Sequence, residues 1–504
     1  MTDAIVLAVV APLLGALAAL AAGTRWDRSG WLVAAVTCVV ELLLAGVVLA
    51  TVLQAGRRSY ELAGFAPPAG IELVADGLSA PVLGLVAAVA LAVLAYARQA
   101  GPRGNAFYTV YLLLVAGLAG ITLTGDIFNM YVFLEVTGLA AYALVASGDS
   151  ARSAVASLKY LIVGTVGASL FLLGAAYAFI ATGTLNMVDL AARLPEAGYG
   201  SRLVLAAFAL LVVGLLVKIA LFPVHSWQPE AYASAPDSVS ALIAALVSTV
   251  SAYALARVLL TVFTVDFFAA VPAARDAVVY AAAVSIVAGS ALAVMQSDIK
   301  RMLAYSSVSQ FGMVVAGFAM VSSTATTGGL IHLVGHAVIK GGLFAAAGIV
   351  AVRTGGRTVD DYAGLVGRAP VAAAAVGVLG LALVGVPPSV GFVGKWYVAV
   401  GAVQQGLWPV AAVILVSTVL TLAYVARVIE RMYFAEPAAK TDSTDSDSAD
   451  PPGLSAVSTD GGPVVSPGMV AVVVLAAVVA VALGFAGGVF ETLLEPTLAE
   501  VFPA

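Results

Sequence analysis

The sequence predicts an all-α membrane protein that crosses the bilayer about fourteen times. Of its 504 residues, 62% are hydrophobic and only 10% are charged, whereas soluble proteins average about 25% charged residues. Apolar runs recur along the whole chain, and each approaches the roughly 20 residues that a spanning helix needs. The short alternating segments typical of a membrane barrel are absent from the sequence. We therefore expect the lipid bilayer, and no nucleic acid, among its partners.

The apolar runs and one polar stretch divide the chain into five predicted segments. The first run lacks a basic leader and a small-residue cleavage site, which favours a retained helix over a signal peptide. The polar stretch is rich in Asp, Ser, Thr, Pro and Gly, a composition that predicts an acidic, disordered linker. The segments are 1–106 (helices 1–3), 107–263 (helices 4–8), 275–434 (helices 9–13), 435–465 (the linker) and 466–504 (the C-terminal helix).

Two of the predicted spans are interrupted at prolines in similar surroundings. VKIALFPVHSWQP places Lys218 just before a proline, and GVPPSVGFVGKW places Lys395 just after a pair of prolines. A proline inside a helix kinks or breaks it. Breaks in corresponding positions of two halves point to an inverted repeat with sites near the bilayer midplane. If 107–263 and 275–434 are the halves, both breaks fall in the fourth helix.

The basic residues predict the orientation of the chain. Fourteen of the 23 Lys and Arg residues fall in loops on one side, six fall in loops on the other, and three lie inside spans. The positive-inside rule then places the N-terminus outside a cell membrane. An even number of spans also places the C-terminus outside.

Ionisable side chains inside the apolar runs are the strongest pointer to function. They include Glu135, Lys218, Lys340 and Lys395. A charge at bilayer depth costs several kcal/mol and seldom persists without a counter-charge, bound water or a functional role. Glu135 and Lys218 are expected to pair, because each lone charge would otherwise shift toward its neutral form. A lysine whose carboxylate partner moves close and then away can load and release a proton. The alternative interpretation is a fixed ion pair that sets helix packing.

Two histidines share a span with one of these lysines. His332, His336 and Lys340 are four residues apart, which keeps them within about 80° on one helix face. Since histidine titrates near neutral pH, the run HLVGHAVIKGG is typical of a proton relay. The alternative is that these side chains only hydrogen-bond neighbouring helices.

The composition offers little for redox or metal chemistry. Zinc–thiolate and iron–sulfur sites use several cysteines, and the chain has one, Cys38. His332 and His336 have no thiol or carboxylate near them in sequence. We expect no metal, no cofactor and no hydrolytic or redox site, so any electrons belong to other subunits. Whether the chain is part of an enzyme stays open.

Two further basic positions are expected to anchor the chain at the membrane surface. SDIKRMLAYSSVSQFG should open with an exposed charged turn, Asp298–Arg301, before a helix rich in Ser. Arg257 should extend its side chain to the interface.

Several stretches also carry a family resemblance over about 70–430. They are TGDIFNMYVFLEV, VKIALFPVHSWQPEAYASAPDSVSALIAAL, DIKRMLAYSSVSQFG, HLVGHAVIKGGLFAAAG and GVPPSVGFVGKW. They closely resemble the proton-conducting antiporter-like subunits, a family that comprises the large membrane subunits of complex I and of Mrp-type Na+/H+ antiporters, with relatives in membrane-bound hydrogenases. FPVHSWQPEAY is most similar to the D-type subunit of Mrp antiporters.

The resemblance implies fourteen helices with two inverted five-helix repeats. It also assigns roles to a set of side chains inside the spans, called the buried row below: Glu135, Lys218, Thr249, His332, His336, Lys340 and Lys395. Glu135, Lys218 and Lys395 match the family's key glutamate, central lysine and exit-side lysine. His332, His336 and Lys340 match its central hydrophilic axis. One position departs: Thr249 stands where the family usually carries a lysine or histidine. A hydroxyl can hold a water chain but cannot store a charge. Either water bridges Lys218 to the histidines, which we expect because the other key positions are intact, or tightly coupled pumping has been lost.

The function expected is that of a proton-translocating subunit of a multisubunit cation/proton antiporter. Other membrane subunits are the expected partners, and any Na+ exchange should need one of them, because no cluster of buried carboxylates suited to Na+ is evident. One alternative is a proton-pumping subunit of a complex I-like or hydrogenase assembly. Others are a non-transporting scaffold, supported by the departure at Thr249, and a carrier of an organic solute, for which no polar pocket is evident.

Overall fold

The computed structural model describes residues 3–68, 70–436 and 465–502 and is built almost entirely of helices. Within these ranges thirteen helices are long and apolar enough to cross a membrane. The pair α16–α17 supplies a further crossing in two short pieces, so each of the fourteen predicted spans has a helical counterpart. The helices are α1 (Asp3–Gly23), α2 (Gly30–Ala55), α3 (Ser79–Ala100), α4 (Asn105–Leu123), α5 (Ile127–Ala146), α6 (Ala151–Thr182), α7 (Met187–Ala197), α8 (Arg202–Ile219), α9 (Trp227–Ser234), α10 (Asp237–Arg257), α11 (Thr264–Ala270), α12 (Pro272–Val294), α13 (Ile299–Ala319), α14 (Ser323–Thr354), α15 (Leu365–Arg368), α16 (Pro370–Val384), α17 (Val390–Gln404), α18 (Trp408–Phe434), α19 (Pro467–Ala482) and α20 (Gly487–Val501).

The two predicted breaks are present, between α8 and α9 and between α16 and α17. Each first piece ends at a residue in the left-handed region, Ala220 (φ 66°) and Gly385 (φ 92°). A left-handed residue stops a helix and leaves carbonyl groups that need other donors. The two-repeat division at 107–263 and 275–434 stays a prediction. The linker predicted at 435–465 lies outside the described residues, apart from its first two positions and its last.

Three helices form the centre of the molecule. Every residue of α10 from Ser238 to Arg257 is buried, and α13 and α14 are buried along most of their length. The peripheral helices α1, α2, α18 and α19 instead expose Leu and Val side chains, such as Leu43 and Val419. Polar side chains on the central helices therefore contact protein and not lipid, the setting in which ionisable groups persist in membrane proteins.

The structure adds elements that the sequence did not predict. A two-stranded antiparallel hairpin, β1 (Arg58–Glu61) with β2 (Glu72–Ala75), precedes α3. The helix α20 contains three glutamates, so its sequence is too polar to be recognised as a membrane span. It is held at the start of α3, where the Gly77 amide donates to Thr497 Oγ1 at 3.1 Å.

Two basic residues expected at the surface are buried, so those expectations were wrong. Arg257 is 5% exposed and donates to Asp76 Oδ1 at 2.6 Å and to the Tyr253 hydroxyl at 2.7 Å. Burial opposes ionisation of Asp76, but the Arg257 guanidinium and two backbone amides outweigh it and hold the pKa of Asp76 below its usual range. Lys300 is 1% exposed and pairs with Asp237. In both cases the carboxylate that makes burial tolerable is distant in sequence.

Candidate functional site

Glu135 and Lys218 form the ion pair that the sequence predicts. Lys218 Nζ donates to Glu135 Oε1 at 3.2 Å, and it also lies 3.4 Å from the Tyr142 hydroxyl. The Lys218 side chain is 7% exposed, whereas that of Glu135 is 27% exposed. Because one partner is buried and the other reaches the surface of the chain, this pair joins the interior to the surroundings.

The break after α8 places Lys218 at the end of a helix and beside an aromatic group. Trp227, the first residue of α9, donates from Nε1 to the Val217 carbonyl at 3.0 Å and so satisfies one of the freed groups. Its ring stacks on Tyr160 at 3.9 Å, and Tyr160 meets Tyr142 edge to face at 4.5 Å. These rings hold Tyr142 against the Lys218 ammonium.

Hydroxyl and amide groups occupy the region of Thr249. Gln228 Nε2 donates to Tyr232 at 3.1 Å and to Ser248 at 3.2 Å. Thr249 Oγ1 itself is buried and makes no hydrogen bond with the described residues. The helices α10 and α14 pack antiparallel, with Gly341 beside Ala245. That register places Thr249 at the level of His336.

His332 and His336 lie on the central helix α14 and differ in their partners. His332 Nε2 donates to Gln310 Oε1 on α13 at 2.9 Å. Neither nitrogen of His336 has a partner among the described groups, and its ring meets Phe311 at 4.6 Å. Since buried polar groups are normally satisfied, the row has free hydrogen-bonding capacity at Thr249 Oγ1, at both nitrogens of His336 and at Nδ1 of His332.

Lys340 is fully buried, and its ammonium is bound by α13. Nζ donates to the Leu303 carbonyl at 2.7 Å and to the Ser306 hydroxyl. Ser306 and Ser307 in turn donate to the same Leu303 carbonyl, at 2.8 and 3.1 Å. Within the described parts of the chain no carboxylate forms an ion pair with Lys340.

Lys395 lies beyond the second break and binds the helix that precedes it. Its Nζ donates to the carbonyls of Leu383 and Val384, both at 2.9 Å. These carbonyls belong to the last turn of α16, where the negative end of the helix dipole stabilises a cation. The break thus creates a binding site for one buried ammonium group.

The structure places parts of the row in two hydrogen-bonded sets, whereas Lys395, which donates to two α16 carbonyls, belongs to neither. One is Glu135–Lys218–Tyr142, and the other joins α14 to α13 through His332 and Lys340. Across the described residues no direct hydrogen bond connects Lys218 to Thr249 or Thr249 to His336. Sequence reasoning missed several polar groups that contact the row or lie beside it. They are Tyr142, seven residues after Glu135 on α5, and Gln310, Ser306 and Lys300 on one face of α13.

The ionisable groups of the row are three lysines, two histidines and one glutamate. No group of three or more His, Cys, Asp or Glu side chains is placed to hold a metal ion among the residues described. The row therefore offers proton-binding groups and hydrogen-bond donors and acceptors.

Comparisons with known proteins relate most of the sequence to a family of membrane subunits. The family described as "NADH:quinone oxidoreductase/Mrp antiporter, TM" matches residues 124–421. The chain is 43% identical to NADH-quinone oxidoreductase subunit N of Desulforudis audaxviator, over 85% of this chain and 86% of the relative. It is 31% identical to the D-type Na+/H+ antiporter subunit of Bacillus subtilis, over 79% and 80%.

A solved structure also matches along the whole length. It is the structure of the Mrp complex from Dietzia sp. DQ12-45-1b, where one chain is 28% identical with a TM-score of 0.88, covering 100% of this chain and 98% of that one. The chain therefore belongs to the family of NADH:quinone oxidoreductase and Mrp antiporter membrane subunits.

Proposed function

We propose that this chain is the proton-translocating subunit of a multisubunit cation/proton antiporter. The observation that carries the proposal is the Glu135–Lys218 pair, in which a buried lysine meets a partly exposed carboxylate at 3.2 Å. Moving the carboxylate away removes the group that favours the charged lysine, and Lys218 then gives up its proton more readily. Restoring the pair reloads Lys218.

The remaining row provides the route. The Ser/Thr patch at Thr249 and the unpartnered His336 can hold bridging water, because both have hydrogen-bonding capacity to spare. His332, His336 and Lys340 lie along one face of α14 and pass the proton on. Lys395 is the exit group, and the α16 carbonyls stabilise it when it is charged.

The proposal includes an orientation and partners. The excess of basic loop residues on one side supports termini outside and the Arg357 end of α14 inside. Other membrane subunits are the proposed partners, as the names of the relatives are those of subunits and the solved match is a complex. Any Na+ exchange is assigned to such a partner, since the described row contains a single carboxylate, Glu135.

A second candidate is a proton-pumping subunit of a complex I-like assembly. It is favoured by the 43% identity to an NADH-quinone oxidoreductase subunit. The proton row would be the same, and opening of the Glu135–Lys218 pair would be driven by electron transfer in partner subunits instead of by a cation gradient.

The test is proton movement in inverted vesicles that contain the whole assembly. Wild type and Lys218→Ala are compared at matched expression and assembly, with either a Na+ pulse or NADH as the trigger. We expect Lys218→Ala to lower the initial rate by about a hundredfold, within the range for loss of a proton-transfer group. The trigger that works in wild type distinguishes the antiporter from the complex I-like pump.

The matched control is Lys159→Ala. Lys159 also pairs with a glutamate, Glu230, at 2.6 Å, but its side chain is 53% exposed, and exposed pairs contribute only about 0–1 kcal/mol. The control should transport like wild type. Unchanged transport in the assembled Lys218→Ala variant would contradict the proposal and leave the chain as a scaffold.

A further inference from the structure

A cluster of charges lies at the inner end of α13, apart from the row already described. Lys300 Nζ donates to Asp237 Oδ1 at 3.1 Å and to the Ala235 carbonyl at 2.7 Å. Arg357 holds the same carboxylate with two bonds of 2.7 and 3.0 Å. The Arg357 side chain is 45% exposed and that of Asp237 is 14% exposed, whereas that of Lys300 is 2% exposed. The cluster thus runs from the surface into the interior.

From this cluster a polar stripe follows one face of α13 toward the row. Lys300, Leu303, Ser306 and Gln310 are spaced by three or four residues, so they share a helix face. Ser306 and the Leu303 carbonyl bind Lys340, and Gln310 binds His332. At about 1.5 Å per residue, Leu303 lies about 4.5 Å further along the helix axis than Lys300.

The other connection to Lys340 is weaker. At the level of Thr249 the row has a hydroxyl that cannot store a charge. Lys340 makes its hydrogen bonds to α13 and not to α10, which carries Thr249. The hydrogen bonds of Lys340 therefore favour its supply along α13.

We propose that Lys300 is a second proton inlet, which refills Lys340 directly from the inner face. This inference rests on the proposed function and changes the source of the protons that leave through Lys395. A proton reaches Asp237 at the surface, passes to neutral Lys300, and moves from the Lys300 ammonium through water and the Ser306 hydroxyl to neutral Lys340. Each transfer breaks one N–H or O–H bond and forms another, so no co-reactant is needed. Opening of the Glu135–Lys218 pair drives the transport cycle, and Lys300 supplies the protons that reload Lys340.

The decisive variant is Lys300→Arg. Arginine keeps the positive charge and the pairing with Asp237, but it does not release its proton in proteins. If Lys300 only clamps α13 to α10, arginine replaces it. If Lys300 hands on protons, the assembled variant loses transport in the vesicle assay. We expect a fall of about tenfold or more.

Two further measurements keep the test decisive. Lys159→Arg, at the exposed pair with Glu230, is the matched control and should retain the wild-type rate. Should Lys300→Arg fail to assemble, the double variant Lys300→Ala/Asp237→Asn removes both charges together and leaves no lone buried ion; it is expected to lose transport equally.

The results separate this inference from the proposed function. Wild-type transport in assembled Lys300→Arg, with loss in Lys218→Ala, overturns the second inlet and leaves the proposed function standing. Wild-type transport in Lys218→Ala overturns the proposed function itself. Loss in both variants, with both lysine controls intact, is the result expected here.

Discussion

Gly394 is the position at which packing and the proton row can be tested together. It immediately precedes Lys395 on α17, and it faces α14. A Cβ added to Gly394 would lie 2.7 Å from both Cα and Cβ of His332 and 2.8 Å from its backbone nitrogen. Non-bonded carbons prefer about 3.5–4.0 Å, so Gly394→Ala creates an overlap of about 0.8 Å. The atoms it meets include backbone, which cannot rotate away, so α17 must move from α14.

That movement has a calculable effect on stability and on the site. Overpacking of a tight contact costs about 1–3 kcal/mol, against a gain of about 1 kcal/mol from replacing glycine by alanine in a helix. A shift of about 0.8 Å also stretches the 2.9 Å bonds from Lys395 to the α16 carbonyls beyond normal hydrogen-bond range. We therefore expect Gly394→Ala to lower the melting temperature of the purified assembly and to lose most proton transport.

Gly377→Ala is the matched control for this prediction. It is also a helix glycine, but its added Cβ would meet only the Tyr433 hydroxyl, at 3.7 Å. It should keep the wild-type transport rate and melt at the same temperature or higher. Equal melting temperatures and equal transport rates for the two alanine variants would refute the packing argument. They would show that the function of Lys395 does not depend on close packing of α17 against α14.

Two other predictions address the ion pairs. Glu135→Gln keeps a hydrogen-bond acceptor for Lys218 but removes its counter-charge, so proton transport in vesicles should fall about tenfold or more. Glu230→Gln at the surface pair should not change transport. Arg257→Ala leaves Asp76 buried and unpaired, and loss of one partner of a buried pair costs about 3–5 kcal/mol; thermal unfolding of the detergent-solubilised chain should show this. The double variant Arg257→Ala/Asp76→Ala should be the more stable of the two, and the reverse order would show that the pair does not hold the start of α3 to the end of α10.

Much of the architecture was predictable because its signals are local. Apolar runs of spanning length predict membrane helices whatever their neighbours are, and all fourteen runs correspond to helices or to the broken pair α16–α17. Prolines predicted the two breaks. The charged residues of the row could also be recognised from the sequence, since lysine and glutamate are rare inside apolar runs.

The partners of these residues were not visible in the same way. Surface elements such as α20 lack an apolar signal, and Lys300 and Arg257 read as surface charges because their carboxylates lie 63 and 181 positions away in the chain. Nothing in the sequence distinguishes Gln310 from other polar residues. Its role becomes evident only in the packed structure, where α13 contacts α14 and the Gln310 amide lies 2.9 Å from His332. Composition and periodicity therefore determine the membrane fold and the buried row, whereas helix packing decides which charge meets which, because pair energies depend on distance and burial and not on position along the chain.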